Sequence, residues 1–247
     1  MGTAKEIASK FKIRASAGLD IMADAKVKGN LSVGAQTYCK KWLKEHLFNR
    51  REELKNKYVN KGNSTEEDGF TLMATELKLG MVYKNTERKE NDWMTGECDL
   101  NLKDNVFDNK ASWSLDTFPM FETEIDKKYW VQLQIYGCLW DVKNLNLCYT
   151  LNDLDDNSVY DMIKWEIDHD KRYEIANRLV YTLESFERLK TLYFQDSELN
   201  TFVEIPDEKR IKHFKFERDD EYVEKIKSRV LECRLFIEQL LLKNGYN

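Results

Sequence analysis

The amino-acid sequence predicts an α/β protein of one domain: an α-β-β-β-α-β core with a small mixed sheet, and helical additions at both the N-terminal and C-terminal ends. Three patterns predict it. Apolar residues recur at helical spacing up to about residue 80 and again after 153. Between about 93 and 112 the period drops to two. A helical stretch over 127–142 then leads straight into another strand-like run. Of 247 residues only 2 are Pro and 10 are Gly, so no flexible linker divides the chain. The whole of 1–247 is read as one domain, with a basic helical region at 1–62, a core at 63–151 and a helical region at 152–247.

The elements follow in order. Ala35, Tyr38, Trp42, Leu43 and Leu47 fall on or near one helical stripe, and Ser32 is the expected N-cap. Lys61-Gly62-Asn63-Ser64 breaks the pattern. A second helix is expected from Glu66 to Leu79, with Phe70, Leu72, Met73 and Leu77 apolar and Gly80 as its stop. Met81–Tyr83, Trp93–Leu102 and Asn105–Ser112 are short runs separated by turn residues. Apolar and polar residues alternate in Cys98-Asp99-Leu100-Asn101-Leu102, and Lys103-Asp104-Asn105 makes a turn, so 96–111 reads as a β-hairpin. Lys127 to Val142 is a helix and Leu145 to Leu151 a strand. One long helix is expected from Trp165 to Phe194 and another from Asp219 to Lys243, with a short strand at Arg210–Phe216 between them. The aromatic residues of 165–242 are assigned to the core.

Composition removes several classes of function. Hydrophobic residues make up 42% and aromatics 12%, too many for a disordered chain. The longest apolar runs are far short of the ~20 residues that span a bilayer, and Met1-Gly2-Thr3-Ala4-Lys5-Glu6 holds no leader-like apolar stretch. The 5 Cys are an odd number, none in C-x-x-C, and no His stands at ligand spacing from them, which argues against a disulfide framework, structural zinc or an iron–sulfur cluster. A reducing cytoplasm is the expected compartment. The net charge of −5 conceals an asymmetry. Residues 1–61 hold 14 Lys and Arg against 6 Asp and Glu, while the remaining 186 residues hold 25 against 38. A basic front joined to an acidic body suits a protein that holds a polyanion with one part and metal cations with the other.

The hairpin carries the chemistry. Side chains on a strand alternate faces, so Asp108 and Lys110 point one way and Phe107 the other. The turn brings Asp99 beside Asp108. Two carboxylates forced together repel, and a divalent cation relieves them; all-oxygen donors favour Mg²⁺ or Mn²⁺ over zinc. Lys110 beside such a cation could steady negative charge or orient a water, which is the equipment of phosphodiester hydrolysis. An Asp/Glu-x-Lys triplet alone means little, since eight occur in this chain. Only Asp108/Lys110 falls on an expected strand, with an Asp on the preceding strand and Gly96 shortly before it.

Thr95-Gly-Glu-Cys-Asp99 followed by Phe107-Asp-Asn-Lys-Ala-Ser-Trp113 resembles the core of the PD-(D/E)XK nuclease superfamily. Tyr129-x-x-Gln132-Leu-Gln-Ile-Tyr136 is similar to the Gln-x-x-x-Tyr helix of its lambda-exonuclease, YqaJ and RecB-like branch. Lys61-Gly62-x-x-x-Glu66 looks like the first-motif segment, and Phe11-Lys-Ile-Arg14-Ala-Ser16 like the Arg/Ser segment that opens many phage members. The resemblance covers about 11–151 and implies a restriction-endonuclease-like core.

Carried over residue by residue, it implies that Asp99 and Asp108 are metal ligands, completed by the Asn109 backbone carbonyl and by Glu66, with Glu67 as the competing acid. Lys110 would be the catalytic lysine, and Gln132 and Tyr136 would support the site from one helical face. Arg14 and Ser16 would grip a DNA phosphate, and Ser112 and Trp113 would touch the strand. Cys98 stands where the motif has Pro, Asp108 where it has Glu, and Asn109 where it has an apolar residue, so the Asn109 side chain must meet the core face or a partner. The implied activity is Mg²⁺- or Mn²⁺-dependent hydrolysis of duplex DNA ends in phage recombination, in the cytoplasm of a bacterial host. A single-strand annealing protein is the implied partner, and a ring-shaped trimer the implied oligomer. The alternatives are an endonuclease, a catalytically degenerate DNA-binding protein on the same fold, or a helical scaffold of a phage particle.

Overall fold

Thr3 opens the first helix with a reciprocal cap: its hydroxyl accepts from the Glu6 N–H while the Glu6 carboxylate accepts from the Thr3 N–H. The computed structural model describes residues 2–27, 29–50, 65–194 and 202–246. The first helix, α1 (Ala4–Ser9), leads into the two-residue strand β1 (Ile13–Arg14), a 3-10 helix (Ala15–Ile21) and α2 (Val33–Phe48). The Ser32 hydroxyl accepts from the Ala35 N–H as expected, and Ala35, Cys39 and Leu43 form the buried stripe of α2. The Lys61–Gly62 break lies outside the described residues.

Helix α3 (Glu66–Glu76) ends three residues before the expected Leu79. Lys78 turns to a φ of 54° and the Leu79 N–H reaches back to the Ala74 carbonyl, which closes the helix ahead of Gly80. The run at Met81–Tyr83 is not a strand. Strands β2 (Lys89–Glu90) and β3 (Met94–Gly96) join β1 in a small sheet of order β1-β3-β2.

The hairpin forms where the alternation places it, from β4 (Leu100–Leu102) and β5 (Asn105–Ala111), with Leu100 opposite Phe107. Lys103 takes a φ of 51° at the turn. Helix α4 (Lys127–Trp140) then crosses over to β6 (Asn144–Thr150), which runs parallel to β5 with Asp108 beside Leu147. A parallel pair needs such a crossover. Strand β7 (Ile211–Glu217) closes the mixed sheet in the order β4-β5-β6-β7.

This sheet is covered on both faces. Phe70 and Met73 of α3 pack on Leu100, Phe107 and Cys148. Val131, Leu133 and Ile135 of α4 share the main apolar core with Val106, Leu145 and Leu147. The last helix, α8 once three intervening helices are counted, spans Asp220–Lys243 and adds Val223, Ile226, Val230, Cys233, Ile237 and Leu241 to that core.

A short helix, α5 (Asp156–Ile163), comes first, and the expected single helix over 165–194 is instead two, α6 (His169–Asn177) and α7 (Leu183–Tyr193). Each starts at its own side-chain cap, from Asp155, Asp168 and Thr182. The Asp153 carboxylate accepts from the Tyr181 N–H at 2.5 Å and the Thr182 N–H at 3.3 Å, fixing a turn inside the expected helix. These helices bury a separate cluster around Val159, Ile163, Tyr173 and Leu189. Trp165, assigned to the core by its type, sits in the turn after α5 and is 84% exposed. Among the described residues no helix is long and apolar enough to cross a membrane.

Candidate active site

The strand period decides which helix each hairpin residue meets. Asp108 and Lys110 face α4, and Phe107 and Asn109 face α3. Asp108 is 2% exposed. Its Oδ1 accepts from Gln132 Nε2 at 3.1 Å, and the same amide donates to the Tyr136 hydroxyl at 2.8 Å. Asp108 Oδ2 lies 2.6 Å from Lys110 Nζ, its buried ion-pair partner. The Lys110 ammonium stands 5.0 Å from the centre of the Tyr129 ring, a cation–π contact on the α4 side.

Asp99 ends the approach to β4. Its N–H donates to the Phe107 carbonyl at 3.1 Å, and its Oδ2 accepts from the Asn109 N–H at 2.6 Å. The hairpin register carried one residue on from Leu100–Phe107 therefore faces Asp99 with Asp108. Burial first, and the Asp108 charge second, push the Asp99 carboxyl up to about 7, against the opposing pull of Lys110 and the Asn109 N–H. Burial pulls Lys110 down, but the charges of Asp108 and Asp99 more than offset it, and the ammonium ends above the usual lysine range. Burial and the Asp108 charge raise Tyr136, which stays a neutral phenol. Cys98, buried beside Asp99, is pushed up to about 12 and stays a thiol.

The donors around this pair suit a hard divalent cation. On a strand, the N–H and C=O of one residue point to the same edge. The Asn109 N–H points to Asp99, so its carbonyl does too. Two carboxylates and a carbonyl make an all-oxygen set, and two buried acidic groups face each other with the Lys110 ammonium to offset their charge. Among the described residues no three His, Cys, Asp or Glu side chains stand close enough to hold an ion by themselves. Glu66, on the first turn of α3, is near enough for its charge to raise Asp99, but its Oε2 lies 2.5 Å from Lys84 Nζ. Glu67 is exposed, so the geometry favours Glu66 of the two.

The remaining expected residues are spread around this centre. Arg14 pairs with Glu45 of α2 at 2.7 Å, in a pocket of about 270 Å³ that also holds Trp42, His46, Asn49 and Arg50. Ser16 is exposed at the start of the 3-10 helix, beside Ala15, which abuts Gly96. Gly96 in turn lies against Tyr136: a β-carbon there would stand 2.7 Å from Tyr136 Cε1. Ser112 is buried, its N–H donating to the Thr150 carbonyl at 2.8 Å, and Trp113 is partly buried against the α5–α7 cluster.

Comparison with solved structures follows this geometry. A phage related exonuclease from Haemophilus somnus 129PT matches with a TM-score of 0.73 and 27% identity, over 96% of this chain and 97% of that one. An alkaline exonuclease from Laribacter hongkongensis matches at a TM-score of 0.60 and 15% identity, over 96% and 95%. The latter protein in complex with dAMP gives 0.58 and 16%, over 97% and 96%. This chain is a structural relative of the phage-type exonucleases. The match runs through both helical ends, beyond the stretch that the motifs covered. No family model and no curated protein matches the sequence.

Set in that exonuclease-like fold, three sets of contacts lie outside any sequence pattern. The Asn109 side chain, which departs from the motif, enters a polar chain: Thr150 Oγ1 donates to Asn109 Oδ1 at 3.1 Å, and Asn152 Nδ2 donates to Thr150 Oγ1 at 3.1 Å and to the Thr65 carbonyl at 3.2 Å. This ties β5 and β6 to the start of α3 and so places Glu66. The amide fits only because residue 69 has no side chain. Lys84 and Asn85 belong to a loop without periodicity, and only its folded path brings them to Glu66 and Asp99. Behind the site, the fully buried Gln134 accepts from the Asp219 N–H at 2.7 Å and donates to the Glu217 carbonyl at 3.3 Å, which fixes α4 from its far side.

Proposed function

We propose that this protein is a divalent-metal-dependent nuclease that hydrolyses DNA from its ends. The observation that carries the reading is the facing pair Asp99 and Asp108, two buried carboxyl groups with the Lys110 ammonium 2.6 Å from Asp108 Oδ2. The match to a phage related exonuclease over nearly the whole chain supports it.

Asp99, Asp108 and the Asn109 carbonyl would hold Mg²⁺ or Mn²⁺, with Glu66 as the further acid. When bound, the cation supplies neutralisation of the carboxylate pair and Lewis-acid polarisation at the scissile phosphate. Lys110 is cationic at neutral pH and stabilises the negative charge that grows on the phosphate oxygens. Gln132 fixes the orientation of Asp108, and Tyr136 holds the Gln132 amide in place. Arg14 and Ser16 would hold a DNA phosphate on the basic side of the molecule, and Ser112 and Trp113 flank the strand after Lys110. A phosphodiester cut that releases the 3′-oxygen leaves a 5′-phosphate. A recombination role, with an annealing protein as partner and a ring trimer as the working form, belongs to the same reading.

The test is an end-labelled linear duplex incubated beside a covalently closed circle, with Mg²⁺, Mn²⁺ or a chelator. The expected result is shortening of the linear duplex with either metal, an intact circle, and no change with the chelator. A nicked or linearised circle overturns the end requirement. No loss of either DNA with either metal, from neutral to alkaline pH, replaces the nuclease with a DNA-binding protein.

A further inference from the structure

Among the described residues, the ammonium of Lys84 pairs with Glu66, at 2.5 Å from its Oε2. The loop that carries it is fixed to the Asp99 strand rather than free. The Asn85 N–H donates to the Asp99 carbonyl at 2.7 Å, and its side-chain amide donates to the carbonyls of Cys98 and Glu87, each at 2.9 Å. Lys84 therefore stands at the mouth of the acidic cluster, half exposed, within the fields of Glu66, Asp99 and Glu97. A lysine so placed has two partners of similar worth: the Glu66 carboxylate when nothing else neutralises it, and an incoming phosphate when something does.

We propose that Lys84 is a DNA-contacting residue that Glu66 holds in reserve: a divalent cation taking Glu66 releases the Lys84 ammonium to a phosphate of the bound strand. This rests on the reading of Asp99, Asp108 and Glu66 as a metal site. Lys84 then competes with the metal before DNA arrives and assists DNA once the metal is in place. These are effects of opposite sign from one side chain, which an ordinary surface ion pair does not produce.

The experiment compares the wild-type chain with Lys84→Gln and Lys84→Arg, using Ca²⁺ and Mn²⁺ as probes. Calorimetry without DNA reads metal affinity. Anisotropy of a labelled duplex, with Ca²⁺ or with a chelator, reads DNA affinity and its salt dependence. Lys84→Gln should bind the metal about two- to fivefold more tightly than wild type. With Ca²⁺ it should bind DNA more weakly and lose about 0.9 from the salt slope, the share of one phosphate contact. With the chelator the two proteins should bind DNA alike, and Lys84→Arg should behave as wild type on both measures. Unchanged metal affinity in Lys84→Gln, in a wild type that does bind metal, overturns the competition and leaves the metal site standing. Equal loss of DNA affinity with and without Ca²⁺ overturns the reserve. A wild-type chain that takes up neither metal overturns the site and this inference together.

Discussion

The side-chain amide of Asn109 fills the space that a β-carbon on Gly69 would need. A β-carbon there would also stand 3.0 Å from Thr150 Oγ1 and 3.2 Å from Asn152 Nδ2. Helix α3 approaches the sheet this closely only at a glycine, and the approach sets where Glu66 lies relative to Asp99.

Gly69→Ala should therefore destabilise the protein. Overpacking costs about 1–3 kcal/mol and exceeds the gain of about 0.5–1 kcal/mol from replacing a helical glycine. Urea denaturation checks this. Asn109→Ala vacates the contested space, so the double variant should lose less stability than the two single losses combined.

Lys110→Ala should lower Mg²⁺-dependent cleavage by about 10²–10⁴-fold while duplex binding in Ca²⁺ persists. Single-turnover cleavage and anisotropy on the same preparation check both halves. Cleavage at the wild-type rate would remove Lys110 from the chemistry.

Gln132→Ala strips Asp108 Oδ1 of its amide donor and leaves the Tyr136 hydroxyl without it. Metal affinity should fall about 10–100-fold, the usual cost of losing a residue that orients a ligand. Calorimetry with Mn²⁺ reads it directly. Tyr136→Phe keeps the ring against Gly96 and should fall in the same direction by less.

Stability should depend on pH through Asp99. Its carboxyl is raised to about 7 in the folded chain, so the folded state binds this proton more tightly than the unfolded one. The contribution is fully present below about pH 4 and is lost as the pH rises through 7, with a total on the order of a few kcal/mol. Thermal melts in a chelator should show the decline between about pH 4 and about pH 7, with no further loss from Asp99 above that. Asp99→Asn should abolish this component, and Mg²⁺ should restore stability at alkaline pH in the wild type.

The convergence of the candidate-site side chains was more legible in the sequence than their surroundings. Asp99, Asp108 and Lys110 lie on a hairpin whose period of two and local turn are written in adjacent residues, and Gln132 and Tyr136 share a helical face by spacing alone. The division of 165–194 into two helices turns on Asp153, whose carboxylate binds the chain near residue 181; a window of sequence does not contain that contact. The cap at Asp168 was equally hard to see among charged neighbours. Lys84 and Asn85 carry no pattern, because their role comes from how a loop returns to Asp99. The Asn109 departure was visible as a departure, but its meaning required Gly69, Thr150 and Asn152, which lie far apart in the chain.

The fastening of Gln134 to Glu217 and Asp219 has a consequence for the protein's birth on the ribosome. Every side chain of the proposed hydrolytic centre has been synthesised by residue 136, yet the helix bearing Gln132 is secured from behind only when residues 217–219 arrive. Until then a fully buried amide lacks both of its backbone partners. The nascent polypeptide thus carries the candidate-site residues for some eighty residues of translation without the brace that fixes the helix bearing Gln132.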